Sequence, residues 1–149
     1  MSKVIYPSPI AYEEIDFSWM VGRFITDIAF LEPDLWRFHF GQSARIAVEC
    51  LWRIVDHRHI VLTSADHRQQ FGLPASIDAS VQATSLLSSR SVKAVQLRDA
   101  TADILIDFHD DRRLEIFPTS SGYESWQVFA PGGICFVAQG GGQICAWTQ

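Results

Sequence analysis

Along most of the chain, hydrophobic residues recur at every second position. Trp36, Phe38 and Phe40 alternate with Arg37 and His39, while Ile46, Val48, Cys50, Trp52 and Ile54 alternate with Arg45, Glu49 and Arg53. Successive side chains of a strand face opposite sides of a sheet, so this period predicts half-buried β-strands. Ile60 and Leu62 continue the pattern after a polar turn at Asp56-His57-Arg58. Val92, Val95 and Leu97 then lead into Ile104, Ile106 and Phe108, and a polar turn at Asp110-Asp111 precedes Leu114 and Ile116. Trp126 with Val128, Ile134 with Phe136 and Ala138, and Ile144 with Ala146 follow, separated by turns at Pro131-Gly132-Gly133 and Gly140-Gly141-Gly142. Connections this short join antiparallel neighbours, because a parallel crossover takes about a dozen residues.

Two segments break the period. Residues 1–16 read as an N-terminal arm, with Pro7 and Pro9 opposing regular structure, and Asp16 is placed to cap a short turn through Trp19-Met20 that Gly22 ends. Residues 69–76 hold Gly72 and Pro74 and read as a loop, after which Ser76 or Asp78 can cap a helix. Ile77, Val81, Thr84 and Leu87 fall on one helical stripe, which predicts a helix over 78–88. The fold class that results is α+β, mainly antiparallel β. It is a single domain over 1–149, in which two similar β-meander halves form a sandwich or a partly open barrel, with one central helix between or across them.

The two meanders superpose. Trp52 placed on Trp126 brings Ile54 onto Val128, Ile60 onto Ile134, Leu62 onto Phe136 and Gln69 onto Gln143 without a gap. Upstream, Phe38, Phe40, Arg45, Ile46 and Val48 fall on Ile106, Phe108, Arg113, Leu114 and Ile116. Extra residues are needed only at the Thr119-Ser120-Ser121-Gly122 loop, where insertion costs little. The expectation is a pseudo-repeat of 23–69 and 91–149, linked by the helix.

Composition narrows the function classes. The 149 residues carry a net charge of -5, and their 12 Lys and Arg are scattered, which speaks against a nucleic-acid role. Five Trp and ten Phe imply a heavily aromatic core or an adhesive surface. Three cysteines without CxxC spacing do not make a disulfide framework. No secretory leader and no membrane-length apolar run is visible, so a cytoplasmic protein without membrane contact is expected.

Candidate chemistry is sparse. The glycine run at 140–142 lacks the Lys-Ser/Thr and following helix of a phosphate loop, and it reads as a turn needing positive φ. His57, His59, His67 and Asp66 are ligand types for zinc or iron, but His57 belongs to a turn, and solvated turn residues are the preferred reading; neither metal nor cofactor is expected. No GxSxG elbow is present, Cys50 alternates onto an apolar face as a core residue, and no spacing pairs any two of Glu49, Asp107, Glu115 and Glu124. Asp66-His67 stands where the second meander has Gly140-Gly141, which marks a loop specialised in one half. Tyr123-Glu124-Ser125-Trp126 is the most distinctive motif, and Glu124 could accept from backbone N–H groups or from Arg113. The candidate binding residues are therefore Asp66, His67, Tyr123, Glu124 and Trp126, with no catalytic set.

That Tyr-Glu-x-Trp element, with the strand pair before it and the glycine turn before a final apolar strand, resembles the C-terminal region of uncharacterised bacterial small proteins. The resemblance spans most of residues 20–149 and carries no catalytic residue. Some similar domains are suspected immunity proteins for polymorphic toxins, which implies a non-enzymatic binding protein with a toxin as partner. The alternative is a small enzyme or ligand-binding domain that uses the Asp66-His67 and Tyr123-Glu124 loops. Exposed aromatic strand surface would also suit a homodimer.

Overall fold

The computed structural model describes residues 7–148; the first six residues of the expected arm lie outside them. Among the described residues there are eleven strands. They are β1 (Asp27–Leu31), β2 (Leu35–Phe40), β3 (Ala44–Val48), β4 (Leu51–Asp56), β5 (His59–Thr63), β6 (Val92–Leu97), β7 (Ile104–Phe108), β8 (Arg112–Phe117), β9 (Trp126–Phe129), β10 (Ile134–Ala138) and β11 (Ile144–Thr148). One helix, α1 (Ala79–Leu87), separates β5 from β6.

All the strand pairs are antiparallel, and they form two sheets. One runs β1-β2-β3-β9-β10-β11 and the other β5-β4-β8-β7-β6. The sheets face each other as a sandwich, without closing into a barrel. Trp36 and Phe38 of one sheet meet Trp52 of the other edge-on at 5.0 and 5.5 Å, contacts worth about 0.5–1.5 kcal/mol each beyond burial. One continuous core holds Phe38, Ile46, Val48, Trp126 and Val128 against Trp52, Ile54, Ile104, Leu114 and Ile116.

The stretch that reads as one strand from Arg45 to Ile54 is two. The chain leaves one sheet after Val48 and enters the other at Leu51, with Glu49-Cys50 as the crossing. Continuous alternation hides the break because both strands keep the same parity toward one shared core. Ile60 departs from its expected inward position. Pairing steps from Ile54↔Leu62 to Val55↔Ile60, so Val61 is an extra residue and Ile60 turns outward. A second bulge at Lys93, between Val92↔Phe108 and Ala94↔Asp107, accounts for the three-residue spacing of Val92 and Val95.

Both open sides of the sandwich are covered. α1 packs beside the edge strands β1 and β5, and the Thr84 hydroxyl accepts the Ile28 N–H at 3.0 Å, satisfying a group that the β1 edge leaves free. The buried stripe of the helix is Ala79, Ala83 and Leu87, while Val81 is 64% exposed. Ile77, Thr84 and Leu87 of the expected stripe turn toward the sheets, and Val81 does not, because Ala79 and Ala83 rather than branched residues fit this close approach to the sheet edges. On the opposite side, Ile10 N–H donates to Ile144 O, and Gly22 N–H to Val92 O, so the N-terminal segment covers β11 and β6. The Asp16 carboxylate accepts the Ser18 N–H at the turn Ser18–Met20.

Each sheet draws strands from both meanders. Three strands of the first, β1-β2-β3, continue into β9-β10-β11, and three of the second, β6-β7-β8, continue into β4-β5, so that β11 has no counterpart among the described strands of the other sheet. The ladder positions correspond as well. Ile46↔Val128 and Val48↔Trp126 in one sheet match Leu114↔Ile54 and Ile116↔Trp52 in the other.

Candidate functional site

The crossing at Glu49-Cys50 creates the feature with most chemical potential. Where the chain passes between sheets, the loops that follow β1, β5 and β8 border an opening. The result is a cleft of about 430 Å³ lined by the aromatic group Phe30, Trp36 and His67 together with Glu49, Cys50 and Thr119. The turn Ser64–Asp66 borders it.

The two loop residues singled out from the sequence are both engaged there. Asp66 forms a capping box, accepting the Thr63 N–H at 2.9 Å. His67 stacks 4.6 Å from Phe30 and 5.1 Å from Trp36, and its Nδ1 lies 3.1 Å from the Ala79 N–H at the start of α1. Nδ1 accepts that bond, which leaves the Nε2 edge to carry the ring proton in the neutral tautomer. Asp66 and His67 thus anchor the turn and the helix start, and His67 also lines the cleft.

The Tyr-Glu-x-Trp motif separates into three roles. Trp126 is core, its indole N–H donating to Ala102 O at 2.8 Å. Tyr123 is 81% exposed. Glu124 accepts from the Gln127 side chain at 3.4 Å rather than from Arg113, which bonds Asp107 at 2.6 Å and approaches Glu115 at 3.8 Å. Ser125 O accepts the Glu49 N–H at 2.8 Å and so brings Glu124 beside Glu49. Burial, and then the Glu124 charge, raise the Glu49 carboxyl above its ordinary value. Sequence spacing gave no sign of this pair, because it depends on β3 lying next to β9.

The sign of that shift is informative. A carboxyl whose folded pKa exceeds its unfolded one loses stability as pH rises through that interval, since the folded state then holds the extra proton. Ionisation of Glu49 is therefore less favourable in the folded chain than in the unfolded one. No ion pair to Glu49, Glu124 or Asp34 forms among the described residues, although most other carboxylates of the sandwich are paired or cap a turn. A cation brought to this end would favour ionised Glu49.

Cys50 is only partly buried, against the expectation of a core position, and it lines the same cleft. Burial, then the charges of Asp103 and Glu49, push its thiol up to about 12. A thiol so held is not a nucleophile at neutral pH. His57, bonded to Asp56 at 2.6 Å, occupies the turn with positive φ, away from the described loop of His67. No three His, Cys, Asp or Glu side chains gather to hold a metal among the described residues. No helix among them is long and apolar enough to cross a membrane.

A second concavity, of about 530 Å³, lies on the outer face of the β5-β4-β8-β7-β6 sheet. There Arg53 meets buried Glu115 at 2.6 Å, and Arg113 bridges Asp107 and Glu115. Arg53, Arg113, Asp107 and Glu115 thus form a ladder of ion pairs across neighbouring strands, while Arg58, Lys93 and Asp111 of the lining stand outside it.

A family model matches residues 19–148, from the turn ahead of β1 to the end of β11, including the cleft and the Tyr-Glu-x-Trp motif. The chain belongs to the family of unknown function DUF6188. The DUF6188 match thus covers nearly the same span as the resemblance read from the sequence, and it brings no activity with it. No curated protein and no solved structure shows significant similarity to the chain.

Proposed function

We propose that this DUF6188 chain is a non-enzymatic binding protein, an immunity-type module that neutralises a toxin carrying a basic surface. One observation carries the reading: exposed Tyr123 precedes Glu124, whose charge acts on Glu49, and neither carboxylate has an ion-pair partner among the described residues. An exposed aromatic beside uncompensated charge is the pattern of an interface anchor with its electrostatic guide. The net charge of -5 would speed encounter with a basic partner. Three cysteines free of disulfides suit a cytoplasmic setting.

Co-expression with the product of the neighbouring gene tests the proposal. The tagged chain is expected to retain that product on a column and to protect cells from its toxicity. Tyr123→Ala with Glu124→Lys should abolish both effects while leaving the circular dichroism spectrum intact. Absence of retention together with absence of protection would overturn it.

A further inference from the structure

We infer that the cleft between His67 and Glu49 is a pocket for a single cationic side chain of the partner, with arginine the best fit. The inference rests on the partner-binding reading and names the group that is recognised. Its first support is a comparison within the fold. The superposition that sets Trp52 on Trp126 also sets Ala65, Asp66, His67 and Arg68 on Gln139, Gly140, Gly141 and Gly142. In the second meander this position is packed shut. A Cβ on Gly140 would stand 2.4 Å from Gly122 N, and one on Gly142 would stand 1.7 Å from Ala100 O. Backbone fills backbone there, and only glycine permits it. In the first meander the corresponding turn bears side chains and leads away to α1, and the position is open as the cleft.

The lining decides what fits. Asp34 and Glu49 border the opening, and Glu124 adds its charge to that of Glu49. Arg68, the cation among the described lining residues, is engaged by Glu32 and lies 5.3 Å over the Phe30 ring, and Arg37 and Arg45, which line a separate concavity with Glu49, form no ion pair with it among the described residues. Trp36, Phe30 and Pro33 supply apolar and aromatic wall. Aromatic faces with carboxylates suit a planar guanidinium, which stacks and donates bidentately, better than a compact ammonium. A cleft of about 430 Å³ takes one such side chain with some water, not a folded segment.

The test is an NMR titration with N-acetyl-arginine amide, and with its neutral isostere N-acetyl-citrulline amide as control. Saturable shifts are expected at residues 64–68, Glu49 and Thr119 with the arginine probe, in the millimolar range, and none with citrulline. Glu49→Gln should weaken that binding about tenfold, as loss of a charge-assisted bond would. If Glu49→Gln perturbs the native spectrum, Asp34→Asn serves in its place. Equal response to both probes, shifts confined elsewhere, or indifference to the substitutions would overturn the inference. A toxin retained equally by the wild type and by Glu49→Gln would sink the pocket while leaving the binding-protein reading in place.

Discussion

The two tryptophans that the superposition pairs show how far single residues can be read from sequence. Their shared ladder position and full burial follow from parity in an alternating strand. Their polar ends do not. Trp126 Nε1 donates to Ala102 O at 2.8 Å, whereas Trp52 Nε1 has no partner among the described residues. Ala102 sits in the loop between β6 and β7, where no periodic signal could announce it. Replacing either indole by phenyl removes similar volume, but Trp126→Phe also strands a buried carbonyl, and Trp52→Phe removes an orphaned donor. Trp126→Phe should therefore cost about 1–3 kcal/mol more than Trp52→Phe. Urea unfolding followed by far-UV circular dichroism measures the difference; equal losses would show that the Ala102 bond contributes nothing net. The Glu49–Glu124 pair was illegible for a related reason, since residues far apart in sequence meet only through a ladder that alternation does not specify.

At the level of elements, the strands were legible and their allegiance was not. Period two shows which side chains point inward, but it is silent on which sheet a strand joins, so 45–54 reads as one strand when it serves two. The helix was found because its start has clear chemistry. Asp78 accepts the N–H groups of Ser80 and Val81 at 3.1 and 3.3 Å, which selects it over Ser76 as the cap. Its hidden second anchor is His67, from the far side of a loop. Hydrogen bonds from the Ser80 hydroxyl, and from the Val81 and Ser80 N–H groups, hold the Asp78 carboxyl below its ordinary value despite some opposing desolvation. A lowered folded pKa contributes stability above the unfolded value, and that contribution disappears as pH falls through the folded one. Asp78→Ala should cost about 1 kcal/mol at neutral pH. Thermal or urea midpoints measured from pH 7 downward should show the gap to wild type narrowing on the acid side. A gap independent of pH would mean that the carboxylate is not what caps α1.

For the molecule as a whole, the composite sheets constrain how the chain came to be and how it holds together. We propose that the meanders arose by duplication. The corresponding strand orders, β1-β2-β3 into β9-β10 and β6-β7-β8 into β4-β5, support that reading, as do the matched registers at the two tryptophans. A single unit pairing with its own copy would build two identical composite sheets by exchanging its last strands, the route by which swapped dimers form. In the present chain the exchange is covalent, and neither half keeps a complete sheet when separated. Cutting at the connection between α1 and β6, to give fragments 1–89 and 90–149, therefore divides both sheets at once. Each fragment alone is expected to lack a cooperative thermal transition as a monomer. Mixed, the two should recover one transition and the near-ultraviolet signal of the packed tryptophans. If a fragment does fold alone, the duplication reading requires it to do so as a concentration-dependent dimer, because β8 needs a β4 or its equivalent beside it to cover its free edge. A fragment that unfolds cooperatively as a monomer would show that one meander closes its own core, and the exchange of strands between halves could not then be what holds this fold together.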